Sequence, residues 1–138
     1  MPQHLIILFV LVPMTAGILT LLSHRSRLLQ QAIGFTGLLT NVGVALWAIS
    51  TVLPGGERSQ VLASQLGNWP APFGISIVVD PLSAIMLAIV SIVCLAVFIY
   101  CVFQLPPRFR GGYFHPLYHV LVFGVQWSFI TGDLFNLF

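Results

Sequence analysis

"DPLSAIMLAIVSIVCLAVFIYCVF", Asp80 to Phe103, is the stretch whose reading decides the fold. After its opening aspartate no charged residue interrupts it, and a helix needs about 20 such residues to cross a hydrocarbon core about 30 Å thick. Asp80-Pro81 marks the start. An acid at the N-cap accepts from free first-turn N–H groups, and proline at the first helical position gives up an N–H that has no partner there anyway. One membrane helix is therefore legible from end to end.

Working outward, three further apolar runs predict an all-α integral membrane protein. The expected helices cover about 5–22, 32–53, 81–103 and 114–130, with the start of a fifth at 133–138. The composition agrees: of 138 residues 58% are hydrophobic and 6% charged, against about a quarter charged in a soluble domain. The first run carries Pro13, which predicts a kink that neighbouring helices can accommodate. The second carries Gly34, Gly37, Gly43 and Asn41, residues that suit close helix packing and interhelical hydrogen bonds. "MPQHLIILFV" has no positive n-region, so it reads as a retained membrane helix and not as a signal peptide.

Between the second and third helices lies the longest polar stretch, from Pro54. "QVLASQLGNW" (60–69) and "FGISIVV" (73–79), separated by Pro70 and Pro72, predict a short β-hairpin-like loop. The sequence has no lysine, so its fixed positive charges are all arginines. Arg25 and Arg27 occupy the first loop and Arg108 and Arg110 the third, with no acid in either, whereas Glu57, Asp80 and Asp133 fall on the opposite side. The positive-inside rule then puts the first and third loops in the cytoplasm and the N-terminus and hairpin outside. A net charge of +2, scattered over several loops, argues against a nucleic-acid partner.

Ion transport needs groups that bind and release charge inside the membrane, and candidates here are few. Asp133, with Thr131 before it, reads either as the cap of the fifth helix or as part of the outward mouth of an ion path, and the two roles are compatible. His115 and His119 are spaced i, i+4 and share a helix face, but no cysteine or carboxylate nearby completes a metal site. They read as edge residues at the interface, with proton relay as the functional alternative. Asn41 and Gln126 suit interhelical hydrogen bonds. Cys94 and Cys101, seven residues apart, sit about 10 Å apart on one helix face and cannot pair. No phosphate loop, nucleophile arrangement, metal cluster or cofactor motif is present, so no cofactor is expected.

Two stretches carry a family resemblance. "LGNWPAPFGISIVVDPLSAIMLAIVSIVCLAVFIY" (66–100) and "GVQWSFITGDLFNLF" (124–138) resemble the D-type subunit of the Mrp-type multisubunit sodium/proton antiporters. The matching motif residues are Trp69, Pro72, Phe73, Gly74, Asp80, Pro81, Gly132 and Asn136. This superfamily also contains the proton-translocating membrane subunits of NADH:quinone oxidoreductase and of membrane-bound hydrogenases. The resemblance implies that residues 1–138 form a single membrane region, the N-terminal fragment of a longer subunit in a prokaryotic inner membrane. It implies a hairpin between helices two and three, an outward N-terminus and no enzymatic activity. Its partners would be other antiporter subunits in a hetero-oligomeric complex, the lipid bilayer, sodium ions and protons. It further implies that the helix begun by "TGDLFNLF" carries a glutamate beyond Phe138, which with lysines on later helices forms the ion-translocation axis. The residues here would scaffold that axis. One departure stands out: Gln126-Trp127 replaces a small pair usual in the family. The alternatives are a subunit of a redox-driven proton pump and a small accessory membrane protein that transports nothing.

Overall fold

The structure is a computed structural model describing residues 2–53, 61–66, 75–104, 106 and 113–132. A 3-10 segment, Pro2–Ile7, leads into α1 (Leu8–Leu22) and α2 (Arg27–Val52). Strands β1 (Leu62–Leu66) and β2 (Ile75–Val79) follow, then α3 (Pro81–Gln104) and α4 (Phe114–Ile130). Three stretches are long and apolar enough to cross a membrane: Leu5–Leu22, Arg27–Val52 and Pro81–Gln104. The chain is a multi-pass membrane protein, mostly helical with a small hairpin. The start of a fifth helix at 133–138 lies outside the described residues.

Its side-chain pattern is inverted relative to a soluble bundle. Leu22, Leu28, Phe103 and Leu117 are among many large apolar residues exposed on the outer surface, where lipid would meet them. The buried polar side chains Thr20, Gln30, Asn41, Ser91, His115, His119 and Gln126 all point inward. Hydroxyls on the outside bond their own helix instead, as Thr15 does to the Leu11 carbonyl (2.8 Å) and Thr36 to that of Ala32 (2.8 Å). In lipid each polar group must find such an internal partner.

The second helix starts at Arg27, five residues before the expected 32. Ser26 explains the shift. It caps the helix in extended geometry, accepting from the Leu29 N–H at 3.4 Å, so "RLLQQ" forms the first turns of a helix and not a loop. At 26 residues α2 is about 39 Å long. Across the tight turn, the Gln30 side-chain amide donates to the Thr20 carbonyl at 2.8 Å, tying α2 to α1. The helix α1 runs unbroken through Pro13, which is buried on its inner face.

The two strands pair antiparallel, with Leu62 opposite Val79 and Leu66 opposite Ile75. They form a lid at the end of the bundle holding the N-terminus, where Ile6, Val52, Leu62, Ile77, Val79 and Ile130 share one buried cluster. After Ile130 the chain leaves the helix: Thr131 is extended, bridges to Ile77, and the Gly132 N–H donates to the Ser76 carbonyl at 2.9 Å. A Cβ on Gly132 would lie 2.6 Å from Val78, so only glycine passes β2 this closely. At 17 residues α4 is about 26 Å long.

Around the bundle, α1 packs between α2 and α4, and α3 packs chiefly on α2. All four helices meet near Gly34. A Cβ there would lie 2.7 Å from the Phe98 ring of α3 and 3.2 Å from the His119 ring of α4, while Gly17 of α1 faces the His119 Cβ. Phe98 is 1% exposed and His119 fully buried, so neither ring has space to retreat.

These contacts can be probed by substitution. Gly34→Val should cost about 1–3 kcal/mol through overpacking, read as a lower denaturation midpoint in detergent, and Phe98→Leu in that background should restore part of it. Asp80 accepts from the Ser83 N–H at 2.7 Å, and Asp80→Ala should cost about 1 kcal/mol by loss of the cap. Hydrogen bonds from the Ser83 side chain and backbone hold the Asp80 carboxyl below its ordinary pKa of 3.8. The carboxylate's contribution is therefore complete above that value and is lost as pH falls through the depressed one. The gap between wild type and Asp80→Ala should close on acidification, measured by the same denaturation curves.

Candidate functional site

The interior holds two stacked layers that follow from helix register. In the first, Gly34 of α2, Phe98 of α3 and His119 of α4 are in contact. Helices α2 and α4 both run from the arginine-bearing end toward the hairpin, and α3 runs back. Seven residues toward the hairpin from each member of the first layer lie Asn41, Ser91 and Gln126. Seven residues rise about 10 Å, so these three polar side chains share one level. The Gln126 side-chain amide donates to the Ser91 hydroxyl at 3.3 Å, joining α4 to α3 at that level. Asn41 is 1% exposed and neither atom of its amide has a partner among the described residues.

His115 and His119 are not edge residues. They are 4% and 0% exposed, on the inner face of α4 that also carries Val122, Gln126 and Ile130. Both imidazoles flank Phe98, with ring centroids at 5.4 and 6.3 Å. Neither ring nitrogen of His119 has a partner among the described residues, nor does Nδ1 of His115. The i, i+4 spacing was legible in the sequence, but their inward direction was not, because lipid leaves the outer face of α4 as apolar as its inner one. Among the described residues no group of three His, Cys, Asp or Glu side chains could hold a metal ion.

Of the residues singled out from the sequence, Thr131, Gly132, Asp80 and Pro81 gather at the hairpin end. Thr131 pairs with Ile77, three residues before Asp80 on the same strand and its exit, a separation of about 10 Å. Asp80 is engaged as the α3 cap. Asp133 and Asn136, the motif residues Trp69, Pro72, Phe73 and Gly74, and also Glu57, Arg58, Arg108 and Arg110, lie outside the described residues. Gln126-Trp127 divides its roles: Gln126 points inward, while Trp127 packs on the hairpin-end cluster and lies near Phe123, with ring centroids 5.9 Å apart. Cys94 and Cys101 are free and half-buried on α3.

Comparison with known proteins gives this arrangement a context. Residues 66–102 match the family model for the N-terminus of chain 5 of NADH-ubiquinone oxidoreductase (complex I). A protein of Rhizobium meliloti, named as the probable D-type subunit of a K(+)/H(+) antiporter, is 42% identical over 143 residues, covering 99% of this chain and 25% of that protein. The D-type subunit of the Na(+)/H(+) antiporter of Alkalihalophilus pseudofirmus is 33% identical over 136 residues, covering 99% of this chain and 27% of its own length. Among solved structures, the Mrp complex from Dietzia sp. DQ12-45-1b contains a chain that superposes with a TM-score of 0.81 at 30% identity, covering 97% of this chain and 24% of that one. The chain thus spans about a quarter of the length of the curated relatives it matches. From end to end it is similar to the D-type subunit of the Mrp-type cation/proton antiporters, and it corresponds to about a quarter of that subunit.

Proposed function

We propose that this chain is the N-terminal part of the D-type subunit of a monovalent cation/proton antiporter, working as a transporter component and not as an enzyme. The observation that carries the reading is the end-to-end match at 42% identity to one such subunit, with a second at 33%. One relative is named for potassium and the other for sodium; sodium is the first cation to test and potassium the second. Its partners would be the other antiporter subunits of a hetero-oligomeric complex. Residues 1–138 would form a single membrane region of a longer subunit, with α4 as a fourth crossing.

Arg25 lies in the turn opposite the hairpin and Arg27 opens α2 beside it. The positive-inside rule makes that end cytoplasmic and leaves the N-terminus and hairpin facing outward across a prokaryotic plasma membrane. In this reading the four helices and hairpin scaffold an ion path. Asp80, the one carboxylate among the described residues, serves as a cap and so is not the group that couples a cation to a proton. Thr131 is tethered to β2, and Asp133 follows two residues later as the candidate for the outward mouth of that path. Trp69, Pro72, Phe73, Gly74, Pro81 and Asn136 would have structural roles.

The match to complex I chain 5 supports one second reading, a proton-translocating subunit of a redox-driven pump. Ion flux separates the two. In sealed vesicles carrying the assembled complex, adding sodium or potassium should dissipate an imposed pH gradient, followed with a pH-sensitive dye. Deleting this chain should abolish the response, and the 138-residue chain reconstituted alone should show none. Exchange by the chain alone would overturn the scaffold reading. Proton pumping driven by quinone reduction and indifferent to both cations would favour the redox pump.

A further inference from the structure

Six buried side-chain nitrogen and oxygen atoms lack a hydrogen-bond partner among the described residues, and all belong to Asn41, His115, His119 and Gln126. These four residues occupy one continuous strip of the interior. His115 and His119 are a turn apart, about 6 Å of rise, and Gln126 and Asn41 lie about 10 Å further toward the hairpin. Burying a polar group without a partner is costly. Water held by two to four polar neighbours removes that cost. Glycine lets two helices close on the imidazole: Gly17, Gly34 and Gly37 all face His119.

We propose that His119 is a proton-binding site in a hydrated niche at the centre of the four helices, and that His115 links this niche to the membrane face where α4 begins. Neutral imidazole has one donor and one acceptor nitrogen. An incoming proton, carried on water from the His115 side, adds to the acceptor nitrogen of His119 to form imidazolium and leaves neutral water behind. The other ring nitrogen then releases its proton to a file of waters that ends, about 10 Å away, at the Gln126 carbonyl and the Asn41 amide. One proton enters, one leaves, and the ring ends in its other tautomer.

The surroundings suit a reversible site, since no charged group among the described residues holds the proton in one place. His119 is faced by Gly17 on α1, by Gly34 and Gly37 on α2 and by Phe98 on α3. The titratable neighbours are His115 and Tyr118 on its own helix and Cys94 and Cys101 on α3, with the Tyr118 hydroxyl donating to the Cys94 carbonyl at 2.6 Å. Phe98 packs against both imidazoles.

Solid-state NMR on the protein in its native assembly, in lipid vesicles with ¹⁵N-histidine, tests this without any transport assay. Tyr118-His119 and Phe114-His115 are the sole Tyr-His and Phe-His pairs in residues 1–138, so with isotope labels confined to these residues, ¹³C-carbonyl labelling of tyrosine or phenylalanine assigns each histidine without a variant. The expected result is magnetisation transfer from water to the His119 ring nitrogens, and a shift from neutral to imidazolium signals on acidification. His115→Phe should leave the His119 signal in place and slow its response to a step in external pH. Ring signals that receive nothing from water and do not move with pH would overturn the proposal, and an unchanged response in His115→Phe would overturn the link. A wet, titrating His119 in a complex that exchanges no cation would support this site while defeating the antiport reading. A dry one in an active antiporter would do the reverse.

Discussion

The missing side chain at Gly34 sets the geometry on which the rest of the bundle depends. Because α2 presents bare backbone there, Phe98 and His119 reach it from α3 and α4, and three helices converge. In lipid no hydrophobic force drives apolar helices together, so close packing of this kind and interhelical hydrogen bonds must supply the association. The Gln126–Ser91 bond, two turns away, and the Gln30–Thr20 bond at the opposite end act in the same way. The buried polar side chains all lie in the interior, beside an apolar core, and many other large aliphatic residues face outward.

At the hairpin end a different constraint operates. Strand β2 accepts a second neighbour in Thr131 and Gly132, so the end of α4 is tied to the connection between α2 and α3. This strand pairing ends α4 at Ile130 and satisfies backbone groups that a helix terminus would otherwise leave free. It also gathers Asp80, Thr131 and Gly132 around one short strand, although they are separated by some fifty residues of chain. The glycine that precedes Asp133 has a plain steric cause in the approach to Val78.

Much of this was legible in the sequence because bilayer thickness imposes a length that few other constraints share. The uncharged run to Phe103, the Asp80-Pro81 start and the β-branched segments around the prolines each had a physical signature. The start of α2 was hidden because Arg27 and the two glutamines resemble loop residues until the Ser26 cap is seen. The inward position of His115 and His119 was hidden for a deeper reason. Amphipathic patterning identifies an inner face by contrast with water, and a helix bordered by lipid offers no such contrast. The Gly34–Phe98–His119 contact depends on tertiary register, which no local pattern encodes.

The Gln30–Thr20 clasp bears on how the protein reaches the membrane in the first place. Only the Ser23–Ser26 turn separates α1 from α2, and the Gln30 amide finds its acceptor within that pair. During biosynthesis α1 and α2 can therefore leave the insertion machinery as one helical hairpin with this buried amide already satisfied, before α3 and α4 have been made. Assembly of the bundle then begins from a unit whose internal register is established at the ribosome's first opportunity.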